Sequence, residues 1–461
     1  MSRLFGTDGI RGKAGAFPLD GKTVEQIGRS LAKHLQESNA GQPPLIVTGR
    51  DTRESGEWIE RALLAGATQA GARCESAGVI TTPGVAFLAR SLDAEAGVVI
   101  SASHNPYEDN GIKVFEPSGR KLSDAVERRI ELDIRDRVTA GEPNSDLSGQ
   151  RLIFNEDHAR ELRQRYTQFL IADIARDLKL DRFSLVLDCA NGAASEIAPD
   201  LFRQLGAHVV TTNNEPDGRN INQNCGSLHI EGLQKRVLQA GADLGVAFDG
   251  DADRALFVDR AGKFVDGDAT LWVLANHLQA SGLLVDDVVV ATVMSNIGLE
   301  IALQKAGIRL LRTDVGDKYV LEELTRTGAS LGGEQSGHII FPAMSLAGDG
   351  MITTLCLLRA IHDTEKSLEE LTAGFQRYPQ VLLNVRVREK RPFEELREVK
   401  RLAAETRSRL GNKGRLLLRY SGTESLARVM IEGESQSEIN TLASKLVDAI
   451  EAELAVPIQT T

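Results

Sequence analysis

Short, almost wholly apolar runs recur along this chain. They are Leu45-Ile-Val-Thr48, Val98 to Ile100, Ser184-Leu-Val-Leu-Asp188, Leu244-Gly-Val-Ala-Phe248 and Val288-Val-Val-Ala-Thr292. Runs of this length without polar alternation predict strands buried on both faces. Helical stripes lie between them. In the first, Val24, Ile27, Leu31 and Leu35 share a face. Thr23 is placed to cap that helix and Gln26 to return the capping-box bond. Buried strands alternating with amphipathic helices imply largely parallel sheets covered on both faces.

The unit repeats. Each third of the first ~370 residues holds an apolar strand, a helix, and a further strand opening into a polar loop. Three related α/β domains are expected, each offering one loop to a shared cleft. The last segment differs. Gln380 to Val387 alternates like a strand, as do Lys413 to Tyr420 and Ala427 to Ile431, with helical patterns at Pro392 to Leu410 and Ser437 to Leu454. That is the pattern of a small α+β domain. Breaks near Asn144 to Gly149, Asp259 to Gly262 and Thr372 to Gln376 give expected domains 1–150, 151–258, 259–373 and 374–461.

At 461 residues the chain is too long for one core. Its net charge of −11 argues against nucleic acid or an anionic membrane as the main partner. Local Arg and Lys loops still allow a small anionic substrate. No apolar run is long enough to span a membrane, and Met1 to Asp20 lack a signal-type core. Cys74, Cys189, Cys225 and Cys356 are scattered without metal-site pairing, so reduced thiols in a cytoplasmic protein are expected.

The chemistry is concentrated in the loops. Beyond Ile100 comes Ser101-Ala-Ser-His-Asn-Pro106; a serine beside a histidine at the mouth of a strand can act as a covalent carrier. Beyond Phe248 comes Asp249-Gly-Asp-Ala-Asp-Arg254. Three carboxylates this close repel one another unless a cation sits among them, and all-oxygen ligands suit Mg²⁺ or Ca²⁺ rather than zinc. The later glycine and glutamate of a calcium loop are absent, and few ligands with room for a phosphate oxygen favour Mg²⁺.

In Gly333-Glu-Gln-Ser-Gly-His338, Glu334 and Ser336 are spaced to face one side, where a carboxylate and a hydroxyl can read adjacent sugar hydroxyls. His338 can transfer protons or neutralise phosphate. Arg419-Tyr-Ser-Gly-Thr-Glu424 combines a cation, two hydroxyls and a glycine turn whose N–H groups can converge on an anion; Arg428 adds a second fork. Arg11, in Gly6-Thr-Asp-Gly-Ile-Arg-Gly12, and Lys113 are cations able to stabilise a transferring phosphoryl group.

Taken in this order, these loops resemble the α-D-phosphohexomutase superfamily, and the resemblance covers essentially the whole chain. It implies an α/β fold of three similar mixed α/β domains plus a C-terminal α+β domain around a central cleft. It implies that Ser103, rather than Ser101, carries a phosphoryl group, and that Asp249, Asp251 and Asp253, with the phosphate on Ser103, hold Mg²⁺. Glu334 and Ser336 would read the sugar. Arg419, Ser421, Gly422 and Thr423, with Arg428, would hold the non-reacting phosphate. By the same matching, Arg11, His104, Lys113, Arg254 and His338 support phosphoryl transfer, with Lys113 or His338 as proton shuttle. A sugar 1,6-bisphosphate is implied as intermediate and activator. The implied partner is a phosphosugar, with no nucleic acid and no membrane, and the chain is a monomer or homodimer.

Within the superfamily, Leu4-Phe-Gly-Thr-Asp-Gly-Ile-Arg-Gly12, Gln335 and Tyr378-Pro-Gln-Val381 resemble the bacterial branch acting on phosphoglucosamine. Interconversion of glucosamine 6-phosphate and glucosamine 1-phosphate, supplying amino sugar for cell-wall synthesis, is therefore the expected activity. Phosphomannomutase relatives usually carry methionine where Gln335 stands. Leu228 and Lys318 depart from the branch, which usually carries threonine and arginine there. Lysine cannot reproduce a bidentate fork, so these departures bear on substrate preference rather than reaction type. The same machinery would serve a phosphomannomutase or phosphoglucomutase. Water as acceptor would make a phosphatase, and binding without a phosphoserine would make a silent regulator.

Overall fold

The computed structural model describes residues 4–6, 8–140, 155–421 and 424–454. The expected break near Asn144 to Gly149 lies outside them. The chain folds as two compact units, Met1–Val293 with Leu311–Thr372, and Met294–Leu310 with Ala373–Thr461.

The larger unit contains the first two sheets and most of the third. The first has six strands, in the order Phe5–Gly6, Gly9–Lys13, Asp109–Phe115, Ala96–Ile100, Leu45–Arg50, Arg73–Val79. The second has five, Phe264–Val265, Ala255–Asp259, Leu244–Phe248, Ser184–Asp188 and His208–Thr212. In the third, Val288–Thr292 pairs in parallel with Gly332–Gly333.

The central strands are parallel and buried, as their all-apolar sequences require. The sheets are nevertheless more mixed than those runs imply. After each polar loop the chain returns antiparallel: Asp109–Phe115 against Ala96–Ile100, Ala255–Asp259 against Leu244–Phe248, and Ile339–Ile340 against Gly332–Gly333. The reason is loop length, since a parallel return needs a crossover of about a dozen residues or more. Each chemical loop is thus the tip of a hairpin whose inner strand is clamped in a sheet.

The first helix, Gly21–Ser38, buries Val24, Ile27 and Leu31 against the first sheet, with Leu35 packed at the edge. Its cap is Asp20 rather than Thr23. The Asp20 carboxylate accepts the Thr23 amide at 3.0 Å and the Thr23 hydroxyl at 2.7 Å, so Thr23 serves as a donor inside the first turn.

The smaller unit has an antiparallel sheet in the order Gln380–Arg386, Leu426–Glu432, Arg415–Tyr420, packed on helices Arg397–Leu410 and Gln436–Leu454. The first of these helices starts later than the expected Pro392, because Phe393–Glu395 forms a separate 3₁₀ turn. Helix Ile297–Lys305 belongs to this unit. Its cap, Asn296, accepts the Tyr378 amide at 2.9 Å and donates to buried Glu432 at 3.1 Å. No helix among the described residues is long and apolar enough to cross a membrane.

Candidate active site

Ser103 stands in the turn after strand Ala96–Ile100, buried, with left-handed backbone (φ +52°). Its Oγ donates to Asp249 Oδ2 at 2.7 Å and lies 3.3 Å from His104 Nδ1. The other serine, Ser101, points elsewhere, donating to Asp51 at 2.7 Å. Gly250 permits the close approach of the two loops, because a Cβ there would overlap the Ser103 carbonyl oxygen.

Asp249, Asp251 and Asp253 are buried and offer ligand oxygens within 4.8 Å of one another. Asp251 Oδ2 accepts Thr82 Oγ1 at 2.6 Å and Lys113 Nζ at 2.8 Å. Lys113 also lies 3.6 Å from Asp253 Oδ2 and 3.3 Å from Asp8 Oδ2. Two further oxygens, Asp251 Oδ1 and Asp253 Oδ1, are buried with no hydrogen-bond partner among the described residues, although Arg254 Nε lies 3.7 Å from the second. Hidden acceptors without donors are costly unless something positive completes them. The all-oxygen donor set fits a hard divalent cation.

The electrostatics divide the cluster. Burial holds the Asp249 carboxyl well above the usual range, and Asp253 and Asp251 add to the effect. Burial also acts to raise Asp253, but Lys113 and His338 outweigh it and hold that carboxyl well below the usual range. His338 Nδ1 sits 3.6 Å from Asp253 Oδ2. Burial alone would lower this imidazole, yet the aspartate pushes it up to about 9. His104 moves the opposite way, to about 4, through burial and then Arg254 and Arg11. Lys113 stays charged because Asp251, Asp8 and Asp253 outweigh its desolvation.

A cavity of about 460 Å³ opens in front of these groups, lined by Asp8, Arg11, His104, Asp253, Arg254, Gly316, Asp317, Glu334 and His338 among others. Arg11 pairs with Asp8 and reaches 3.5 Å from the Ala102 carbonyl. The Arg254 amide donates to Asp249 Oδ1 at 3.2 Å. Glu334 accepts the Gly316 amide at 3.2 Å. Ser336 is not among the lining residues; its hydroxyl is buried without a hydrogen-bond partner among the described residues. Gln335 turns away and donates to buried Asp268 at 3.0 Å. Lys318 pairs with Asp124 at 2.6 Å, and Leu228 is exposed in the turn Gly226–Leu228.

In the smaller unit, Arg419 and Arg428 face each other across adjacent strands. Two cations so paired repel one another, which suits an anion held between them. Arg428 Nε is buried without a hydrogen-bond partner among the described residues, although Glu424 lies 3.7 Å from its guanidinium. The Ser421 amide closes the hairpin on Leu426, and its carbonyl accepts Lys390 Nζ at 2.6 Å. Gly422 and Thr423 lie outside the described residues.

Within the larger unit the serine, aspartate and Gly333 to His338 loops come together; their supports were not singled out from the sequence. Thr82, Asp8, Lys121 and Asp317 extend the charge network, with Lys121 2.6 Å from Asp317. Lys390 joins the Arg419 loop. Arg53 and Asp51 sit beneath the serine loop. Asp8 lay within the glycine-rich segment around Arg11, and Asp51 and Arg53 within the polar run Gly49-Arg-Asp-Thr-Arg53 at the end of a buried strand; the others gave no local signal.

Comparison with known proteins agrees. Models of the phosphoglucomutase/phosphomannomutase alpha/beta/alpha domains I, II and III match residues 2–140, 164–262 and 266–378, and the model of the C-terminal domain matches 382–449. The phosphoglucosamine mutase of Solibacter usitatus is 48% identical over 454 residues, covering 98% of this chain and 99% of that protein. That of Koribacter versatilis is 48% identical over 460 residues, covering 99% and 98%. The fold matches a phosphoglucomutase/phosphomannomutase family protein from Burkholderia thailandensis (TM-score 0.78, 24% identity, 99% of this chain, 100% of that one). It also matches Aspergillus fumigatus N-acetylphosphoglucosamine mutase, solved with GlcNAc-6P and magnesium (TM-score 0.66, 20% identity, 97% and 95%). With four family domains in order and nearly half its residues shared end to end, the chain belongs to the phosphoglucomutase/phosphomannomutase family, in its phosphoglucosamine mutase branch.

Proposed function

We propose that this isomerase interconverts glucosamine 6-phosphate and glucosamine 1-phosphate through a phosphoserine at Ser103. The observation that carries the reading is the Ser103 hydroxyl, 2.7 Å from one of three buried carboxylates, with Lys113 bonded to a second at 2.8 Å. The identity to phosphoglucosamine mutases supports the choice of sugar.

In the first half-reaction the bond from Ser103 Oγ to phosphorus breaks as the sugar's 1-oxygen bonds to phosphorus. The proton of that hydroxyl ends on Ser103 Oγ, relayed by Lys113 or His338, each already charged and giving up one proton as it takes another. In the second, the bond between the 6-oxygen and its phosphorus breaks, the Ser103 Oγ bond re-forms, and the proton returns to the 6-oxygen. Between the two, the sugar 1,6-bisphosphate turns end for end; a trace of the same compound primes unphosphorylated Ser103. Asp249, Asp251 and Asp253, with a phosphoryl oxygen on Ser103, would hold Mg²⁺, which when bound supplies positive charge against that spread over the transferring oxygens. Lys113, Arg11, Arg254 and His338 add cationic charge around the same group, and His104 flanks the carrier oxygen. Glu334 and Ser336 orient the ring. Arg419, Ser421 and Arg428, with Gly422 and Thr423, hold the phosphate that is not in transfer.

The test is ³¹P NMR of the protein with Mg²⁺, a trace of sugar 1,6-bisphosphate, and equal glucosamine 6-phosphate and mannose 6-phosphate. Glucosamine 1-phosphate should form first, and Ser103→Ala should lower turnover by about 10⁴-fold or more. Mannose 1-phosphate in its place would overturn the sugar assignment. Inorganic phosphate without either isomer would make the chain a phosphatase.

A further inference from the structure

Arg53 touches none of the reacting atoms in this mechanism, yet it is only 2% exposed. It lies just beyond strand Leu45–Arg50, and its guanidinium reaches under the carrier loop. Nη2 donates to the carbonyls of Ser103 at 2.9 Å and Asn105 at 2.8 Å. Nη1 donates to those of Pro106 and, at 3.0 Å, Asp109. Nε donates to Asp51 at 2.9 Å, which fixes the plane of the fork. Four carbonyls from one turn therefore converge on a single side chain.

The other end of Ser103 is tied to the same pair. Its amide donates to Ser101 Oγ at 2.9 Å, and Ser101 Oγ donates to Asp51 at 2.7 Å. Asn222 adds a hand from the second sheet's side, donating to the Ser103 carbonyl at 2.9 Å. Such convergence matters because Ser103 has φ +52°. A serine resists that conformation and keeps it only where its surroundings over-determine it. Released, the residue would relax and carry Oγ away from Asp249.

We propose that Arg53, oriented by Asp51, is the positioning residue of the carrier serine. It holds the left-handed turn whether Ser103 is free or phosphorylated, so both half-reactions use one Oγ position. The proposal rests on Ser103 as phosphoryl carrier. Lysine would not substitute, because one ammonium cannot span four acceptors and an aspartate in a fixed plane.

The experiment uses the full chain with Mg²⁺, comparing wild type, Arg53→Lys, Asp51→Asn and Ser101→Ala. Steady-state kcat and KM are measured beside the single-turnover rate of phosphoryl transfer from sugar 1,6-bisphosphate to Ser103, followed by intact-protein mass, and the melting temperature. Arg53→Lys should lose about 100-fold in kcat and in the labelling rate, with KM for the sugar phosphate within about two-fold of wild type. Asp51→Asn, which frees the plane of the fork, should lose about ten-fold in the same pattern and decides the matter should the lysine variant fold poorly, whereas Ser101→Ala, which leaves the fork intact, should stay within about three-fold of wild type. Wild-type labelling rates in folded Arg53→Lys or Asp51→Asn, or losses confined to KM or melting temperature, would overturn the positioning role. A wild-type protein that takes no label would overturn Ser103 as carrier, and the clamp's function with it.

Discussion

Asp349 uses its two carboxylate oxygens for different tasks. Oδ1 accepts the amides of Met351 and Ile352, capping helix Gly350–Thr364, while Oδ2 accepts the hydroxyl of buried Tyr166 at 2.7 Å. Burial raises its carboxyl from the ordinary 3.8 to about 6, with the three hydrogen bonds pulling the other way. The folded chain thus binds this proton more tightly than the unfolded one. The stability it contributes is complete below about pH 4 and is lost as pH rises through about 6, at most about 3 kcal/mol. Asn can still cap the helix but does not titrate. Melting temperature followed from pH 5 to pH 8 should therefore fall in wild type relative to Asp349→Asn. Parallel curves for the two proteins would rule the carboxyl out as the source.

The loops depend on the elements that flank them. Gly333 to His338 is fastened to the start of helix Gly267–Ala280, where Gln335 Nε2 donates to Asp268 at 3.0 Å and the Gly267 amide donates to the Gln335 carbonyl at 3.0 Å. Gln335→Met would remove a donor from a buried carboxylate and loosen the loop bearing Glu334. KM for the sugar phosphate should rise about 5- to 10-fold with kcat nearly unchanged, read by steady-state kinetics. An unchanged KM would confine Gln335 to structure. At this scale the sequence was largely readable, because strands buried on both faces must be apolar throughout and reactive groups cluster within a few residues. Supports were harder to read because they come from elsewhere in the chain: Arg53 holds a carbonyl 50 residues away, and Thr82 an aspartate 169 away. The helix cap was misread locally, since Asp20 and Thr23 both suit the role and only the backbone decides which accepts the helix amide.

In the larger unit, the aspartate cluster joins two sheets. Asp249, Asp251 and Asp253 follow a strand of the second, while Ser103 and Lys113 belong to the first and Thr82 opens the helix Thr82–Ser91. A ligand bound only by the folded chain stabilises it by about 2.7 kcal/mol at 100 times its dissociation constant. Chelation should therefore lower the melting temperature of wild type by several degrees and leave Asp251→Asn nearly unmoved, a comparison calorimetry can make without any turnover. Equal shifts in both proteins would take Asp251 out of the ligand set. The same join has a history within each molecule. Lys113 is translated 138 residues ahead of Asp251, an interval on the order of ten seconds at ribosomal speed. Throughout it Lys113 has Asp8 but neither Asp251 nor Asp253 to pair with, and Ser103 lacks Asp249. The pairs Ser103–Asp249 and Lys113–Asp251 therefore form only when the second sheet docks against the first.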